Sequence, residues 1–247
     1  MMQIVSHKAP RLPRTHMACD VPIDPKLLQY EATKDCFSKA FFCPIVGRMG
    51  AGKTSTCISL LKGVFKRCFE DVLVLIPEIS LHSIDEKDNI FAELPPENLY
   101  HEFNEENMKE IEQRCMDNAK EGYNTLLIID DFGSRMKDAK APEYKILKRM
   151  IIKIRHFHTS IFLLAQNIFQ FEKAIREVAT SILFFDLGCS QNEKVMKEFL
   201  PYNDAQCQEI MGSFQNTHDH LLLNTYSHRV FRNLKDELIF PQNDLKK

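Results

Sequence analysis

The sequence predicts an α/β fold in which a mainly parallel central sheet is flanked by helices. Short apolar runs, typical of strands buried on both faces, alternate along the chain with segments of helical periodicity. The glycine-rich stretch GRMGAGK lies between the first such run and the first helical pattern. A chain of 247 residues is long enough for one sizeable core with terminal appendages.

The elements follow one another in a regular order. The first strand is expected in FFCPIV, and a helix is expected over residues 53–65, where apolar residues share one face. DVLVLIP is the second strand; after a polar stretch over residues 78–98, a helical pattern covers residues 105–120. NTLLIIDD, TSIFLLAQN and SILFFDLG are the next strands, separated by predicted helices over residues 141–155 and 171–178. HLLLNTYSHRVFRNL indicates a hairpin or an edge strand.

This order divides the chain into three segments. We expect an N-terminal arm over residues 1–34, a nucleotide-binding core over residues 35–190, and a helical and hairpin extension packed on the core over residues 191–247. No apolar run approaches the ~20 residues of a membrane span, and the N-terminus lacks the apolar region of a signal peptide. We therefore expect neither an integral membrane segment nor export.

Charge and cysteine usage exclude further classes. The 32 basic and 34 acidic residues exclude a polycationic coat for nucleic acid, so a DNA partner would need a local basic surface. The eight cysteines are scattered without a CxxC pair, and most have apolar neighbours. They are expected to be reduced core thiols rather than disulfides or metal ligands.

The glycine-rich stretch satisfies the pattern G-x-x-x-x-G-K-[ST] of a phosphate-binding loop. Glycines allow left-handed backbone, so that N–H groups turn inward on a phosphate, and the helix that follows adds its positive end. A chance match is a poor alternative, because the pattern lies between a buried strand and a helix. The residues predicted to bind ATP are Gly47, Arg48, Met49, Gly50, Ala51, Gly52, Lys53, Thr54 and Ser55.

Two aspartates close the strand TLLIIDD. Strand ends in parallel α/β folds gather at the ligand-binding edge, so Asp130 is predicted to act with Thr54 on Mg²⁺. Asp131 is then the predicted base that orients and deprotonates the attacking water. The alternative is a strand that runs into a solvated acidic loop. The upstream Gly-Lys-Thr favours hydrolysis.

Gln166 ends the strand TSIFLLAQ and is predicted to sense the γ-phosphate or to position the water. The alternative is a glutamine that caps the loop after the strand. Catalysis is thus assigned to Lys53, Asp131 and Gln166, with one further residue from a neighbouring subunit.

That residue is predicted to be an arginine. The segment KILKRMIIKIRHFHTS is basic, and Arg155 is placed to reach the γ-phosphate of a neighbouring subunit. Arg176 is the rival for this role. A solvated basic helix face without a ligand is the alternative for the whole segment.

The order of motifs resembles a known family. GRMGAGKTS, TLLIIDDFGS, IRHFHTSIFLLAQN and AIREVATSILFF are together similar to the poxvirus-type genome packaging ATPases of large DNA viruses and their virophages, in the FtsK–HerA class of P-loop motors. The resemblance covers residues 41–187. It implies a P-loop NTPase of the additional-strand (ASCE, RecA-like) type. This chain departs from related motors at two positions. Those motors often have Glu at the position of Asp131 and Ser or Thr at the position of Ala165.

The resemblance also implies a function. ATP hydrolysis with Mg²⁺ would drive double-stranded DNA into a preformed capsid, and the active form would be a homo-oligomeric ring, a pentamer or hexamer. The implied partners are DNA and a capsid or vertex protein, in the host cytoplasm at virus assembly sites, with association with the virion also considered. Two alternatives stay open, a nucleotide-switch assembly factor of the helicase-loader kind and a P-loop nucleoside kinase.

Overall fold

The computed structural model describes residues 22–23, 30–133, 136 and 138–240. The strands of this part of the chain are β1 (Phe42–Val46), β2 (Asp71–Leu75), β3 (Leu99–Tyr100), β4 (Thr125–Ile129), β5 (Thr159–Ala165), β6 (Ser181–Phe185), β7 (His220–Asn224), β8 (Val230–Arg232) and β9 (Asp236–Glu237). They form one nine-stranded sheet in the order β3-β2-β4-β5-β1-β6-β7-β8-β9.

The neighbours among β1 to β6 are parallel, and β5 lies between β1 and β4. A strand inserted between the strand of the glycine loop and the strand of the aspartates defines the additional-strand type, so the predicted fold class is confirmed. Parallel strands end at one edge of the sheet, here called the carboxyl edge, and begin at the opposite amino edge.

The helices are α1 (Glu31–Phe37), α2 (Lys53–Lys62), α3 (Glu78–Leu81), α4 (Glu105–Glu121), α5 (Pro142–Ile152), α6 (Lys173–Arg176), α7 (Cys189–Phe199) and α8 (Asp204–Met211). Three predicted helices were too long. Helix α2 ends at Lys62 rather than at residue 65, since the next residue is Gly63 and glycine disfavours helix. Turns over residues 153–158 replace the last three residues of the helix predicted over residues 141–155, and the helix expected over residues 171–178 is reduced to α6.

The polar stretch after β2 contains more structure than its sequence indicates. It holds α3 and a 3₁₀-helix over Pro96–Asn98, and β3 follows directly as a short edge strand paired with β2. Arg114 on α4 binds the Asp71 carboxylate at 2.7 Å and the Asn98 side chain at 2.8 Å. These contacts fasten α4 to the β2–β3 edge.

The sheet divides the core into two apolar layers, because successive side chains of a strand point to opposite faces. Phe42 and Leu163 belong to the layer that contains residues of α4, α5 and α7. Ile45 and Leu164 belong to the layer that contains residues of α1 and α2. The central strands are buried along their whole length, which explains their continuous apolar sequences.

The C-terminal segment continues the sheet. Strand β7 runs antiparallel to β6, and β8 and β9 complete the meander. Helix α1 is tied to it, because Asn224 Nδ2 donates to the Asp35 carbonyl at 2.8 Å. Residues 1–21 and 24–29 of the predicted arm, and residues 241–247 of the predicted extension, lie outside the described residues. Within the described part, no helix is long and apolar enough to cross a bilayer.

Candidate nucleotide-binding site

The glycine-rich loop leaves the carboxyl end of β1 and leads into α2. A Cβ at Gly47 would lie 3.0 Å from the Phe185 side chain, so only glycine fits there without a shift. Gly52 has a φ of +102°, which L side chains rarely adopt. Helix α2 begins immediately afterwards at Lys53, so its unpaired N–H groups and positive dipole end face the loop. This geometry is that of an anion-binding loop.

Lys53 closes this loop. Its Nζ donates to the carbonyl oxygens of Gly47 at 2.9 Å and Arg48 at 3.0 Å. Burial lowers the pKa of Lys53, while the charges of Asp130 and Asp131 act in the opposite direction. The Lys53 ammonium therefore lies over the loop, close enough to Asp130 and Asp131 for both carboxylate charges to act on its pKa.

A hydrogen bond joins the two predicted motifs. The Thr54 hydroxyl donates to Asp130 Oδ2 at 2.6 Å, across the inserted strand β5. Asp130 is buried, which raises its pKa, and the bond from Thr54 counteracts part of that rise. A hydroxyl and a carboxylate at one point are oxygen donors of the kind that Mg²⁺ prefers, alongside phosphate oxygens and water. The two residues predicted to bind metal therefore fit that ion.

Asp131 adopts a left-handed backbone with a φ of 62°, and its carboxylate accepts a hydrogen bond from Ser80 Oγ at 2.8 Å. Ser80 lies on α3, in the stretch that the sequence marks only as polar. The prediction missed Ser80, although its place after β2 puts it at the carboxyl edge, where ligands gather. Ser80 thus orients the carboxylate that is predicted to be the base.

These side chains line one cleft of about 830 Å³. Gln166 follows β5 and is exposed at its wall, and Met49 and Ser55 of the glycine loop also line it. The structure brings together eight residues that the sequence placed in the site, namely Met49, Gly50, Lys53, Thr54, Ser55, Asp130, Asp131 and Gln166.

Arg155 does not join this cluster. It is exposed in the turn before β5, at the amino edge. The seven residues of β5 separate it from Gln166, a distance of about 23 Å at ~3.3 Å per residue. An arginine there is too far away to act on its own subunit's nucleotide, so any role in the reaction has to be in another subunit.

The rival Arg176 is engaged within its own chain. Its guanidinium donates to Glu198 at 2.8 Å and to the Phe171 carbonyl at 2.6 Å, and it stacks over Phe169 at 5.2 Å. The side chain is only 14% exposed. Arg176 therefore fixes α6 to α7.

The basic segment is less positive than its sequence indicates. Lys148 pairs with Glu172, and Arg149 pairs with Glu112 on α4. Both cations are neutralised locally, and the pairs hold α5 against its neighbours. Two of the cations in this segment are therefore balanced by acidic residues that lie far away in the sequence, while Lys145, Lys153 and Arg155 are exposed.

Arg48 in the glycine loop has a contact that the sequence did not indicate. Its Nη2 donates to the Leu187 carbonyl at 2.9 Å, and it occupies the space beside Gly188, where a Cβ would lie 2.3 Å from Nη2. Gly188 starts α7 with a φ of +89°. Arg48 thus links the loop to the segment after β6, so its side chain binds the protein itself in this structure.

The fold is similar to solved structures of other ATPases. The DNA-packaging ATPase B204 from Sulfolobus Turreted Icosahedral Virus has a TM-score of 0.58 at 15% identity, with 78% of this chain and 97% of that chain covered. B204 of Sulfolobus turreted icosahedral virus 2, in complex with ATP-gammaS, has a TM-score of 0.55 at 14% identity, with 78% and 96% covered. EssC (ATPases 2 and 3) from Geobacillus thermodenitrificans has a TM-score of 0.54 at 13% identity, with 96% of this chain and 50% of that chain covered. At these identities the likeness shows the shared fold.

Family membership follows from the sequence itself. No curated protein sequence matches the chain significantly. Residues 31–204 match the profile of the Poxvirus A32 protein family. The matched range covers more than half of the chain and includes the glycine loop, both aspartates, Gln166 and Arg155. The predicted resemblance is confirmed, and the chain belongs to the Poxvirus A32 protein family.

Proposed function

We propose that the protein is an ATPase that uses hydrolysis to move double-stranded DNA into a preformed viral capsid. The observation that carries the proposal is the 2.6 Å hydrogen bond between Thr54 and Asp130, which joins the phosphate loop to the acidic strand end. Lys53, Asp131 and Gln166 share that cleft. Membership of the family and the fold that this chain shares with B204, a DNA-packaging ATPase, support the same proposal.

The cleft residues divide the chemistry between them. Backbone N–H groups of the loop bind the phosphates, and Lys53 exchanges its two carbonyl partners for phosphate oxygens. Thr54 and Asp130 would hold Mg²⁺, which supplies positive charge to the phosphate oxygens when bound. Asp131 accepts the proton of the attacking water, and Gln166 orients that water.

The active form is proposed to be a homo-oligomeric ring, a pentamer or hexamer. Each subunit places Arg155 of its amino edge against the cleft of its neighbour, where the guanidinium stabilises charge on the γ-phosphate. The geometry supports sharing, because Arg155 lies on the edge opposite its own cleft. A head-to-tail contact of this kind forms a ring when the rotation between neighbouring subunits closes.

Mixing two inactive proteins tests the shared arginine. Arg155→Ala alone is expected to lose ATP turnover about 10³-fold, the effect of removing such an arginine. Mixed with Lys53→Ala it should recover part of the activity, because each protein supplies what the other lacks. ATPase rate is measured against mixing ratio, with the exposed neighbour Lys153→Ala as the matched control. No recovery at any ratio contradicts a shared arginine at this position.

The further partners belong to the same proposal. A ring that packages DNA has to dock on the capsid or on a vertex protein, in the host cytoplasm where virions assemble, with retention in the virion also proposed. The net charge of −2 is compatible with this, because a pore holds DNA phosphates through few contacts per subunit and releases them in each cycle.

The decisive experiment compares the ATPase rate with and without duplex DNA and measures the mass in solution under the same conditions. A motor is expected to hydrolyse ATP faster with DNA, as a complex of several subunits. Slow hydrolysis that DNA does not change would instead indicate a nucleotide switch. Transfer of phosphate to a nucleoside would indicate a kinase, and either outcome would overturn the motor.

A further inference from the structure

His218 touches the phosphate loop from outside the cleft. It lies on the loop between α8 and β7, and its Nδ1 is 3.1 Å from the Ala51 carbonyl oxygen. A carbonyl oxygen can only accept, so Nδ1 carries the hydrogen and donates. His218 is not among the residues that line this cleft, and its Nδ1 would lie 3.3 Å from a Cβ built at Gly52.

That bond determines where the next amide points. The Ala51 carbonyl and the Gly52 N–H belong to one peptide unit, and the described chain contains no cis peptide bond. In a planar trans peptide the C=O and N–H groups point in opposite directions. Because the Ala51 carbonyl points to His218, the Gly52 N–H points away from His218.

The loop that carries His218 is itself held in place. Asp219 is 8% exposed and accepts hydrogen bonds from Gln215 N at 2.8 Å, Asn216 N at 3.1 Å and Asn233 Nδ2 at 2.9 Å. These bonds, first of all the one from Asn233, lower the pKa of Asp219. The carboxylate is therefore charged at neutral pH and fixes the loop between α8 and β7.

A second contact joins the start of β7 to the phosphate loop through Phe185. The His220 ring packs on the Phe185 ring at a centroid distance of 5.4 Å, and Phe185 occupies the space beneath Gly47. Burial lowers the pKa of His220, so this ring is neutral at pH 7. The start of β7 thus touches the phosphate loop through Phe185 at Gly47 and through His218 at Ala51.

We propose that His218 is a positioning residue that keeps the Gly52 N–H directed at the β-phosphate of the bound nucleotide. The proposal rests on nucleotide binding by the phosphate loop, as in the proposed function. It gives the segment beyond the predicted core a direct part in the nucleotide site.

The test is the affinity for AMP, ADP and ATP, measured by calorimetry on His218→Phe and His218→Asn. Phenylalanine keeps a ring but cannot donate, whereas asparagine carries an N–H donor close to the position of Nδ1. His218→Phe is expected to lose about tenfold in ADP and ATP affinity, the order of one misdirected charge-assisted hydrogen bond. AMP, which has no β-phosphate, should bind within about twofold of the wild type, and His218→Asn should regain most of the loss.

His156→Phe is the matched control, since this histidine is exposed at the amino edge. Thermal unfolding without nucleotide should give the same midpoint for all these variants.

Equal losses for AMP, ADP and ATP would overturn the proposal in favour of a contact to the nucleoside, and equal losses in the Phe and Asn variants would overturn it in favour of packing. If His218→Phe bound all three nucleotides as the wild type does while Lys53→Ala lost affinity, the positioning role of His218 would be rejected. Nucleotide binding by the phosphate loop would stand. No loss in Lys53→Ala would reject the phosphate loop and the proposed function with it.

Discussion

Lys53→Ala is expected to lower ATP affinity at least about a hundredfold, because two or more charge-assisted hydrogen bonds to phosphate oxygens disappear. The variant should still fold, since Lys53 contributes only two bonds to loop carbonyls in the structure. Titration with a fluorescent ATP analogue measures the loss, and thermal unfolding without nucleotide checks the fold.

Lys66→Ala is the matched control, because Lys66 is exposed just beyond the end of α2 and away from the cleft. It removes the same charge from the protein without removing a phosphate contact. Wild-type affinity in Lys53→Ala would contradict the assignment of the phosphate loop, and an equal loss in Lys66→Ala would attribute the effect to overall charge.

Asp131→Asn is expected to bind ATP with little change and to hydrolyse it about 10³-fold more slowly, within the range for loss of a general base. The change is isosteric, and Ser80 can still donate its 2.8 Å hydrogen bond to the amide oxygen. Single-turnover release of phosphate at saturating ATP separates hydrolysis from binding.

Asp85→Asn controls for loss of a negative charge from the same cleft, since Asp85 lines the cleft and is exposed. It should leave the single-turnover rate close to that of the wild type, because Asp85 has no assigned contact with the reacting atoms. A near-normal rate in Asp131→Asn would assign the base to another residue.

The central strands and the cleft could be predicted because each depends on local patterns. Continuous apolar runs marked β1, β4, β5 and β6, and the glycine pattern marked the loop. Asp130 and Gln166 could be expected to meet, because the ends of parallel strands meet at one edge. The positions of these two residues at the ends of their strands were sufficient to predict that both belong to the cleft.

Contacts that depend on chain segments distant in sequence could not be predicted. His218 reaches Ala51 only because β7 turns back against β6, which places together residues 167 positions apart. Glu112 neutralises Arg149 across 37 positions, so the charge of α5 cannot be judged from its own sequence. Helical periodicity also continued past Ile152, where the chain instead turns toward β5.

The antiparallel strand β7 covers β6 along its whole length, from Ser181 opposite Asn224 to Phe185 opposite His220. A protein cut after residue 190 would leave without partners the backbone N–H and C=O groups of β6 that pair with β7, and such an exposed apolar edge promotes aggregation. We therefore expect strands β7 to β9 to be needed for solubility as well as for the fold, because they cover an edge of β6 that would otherwise pair with other chains.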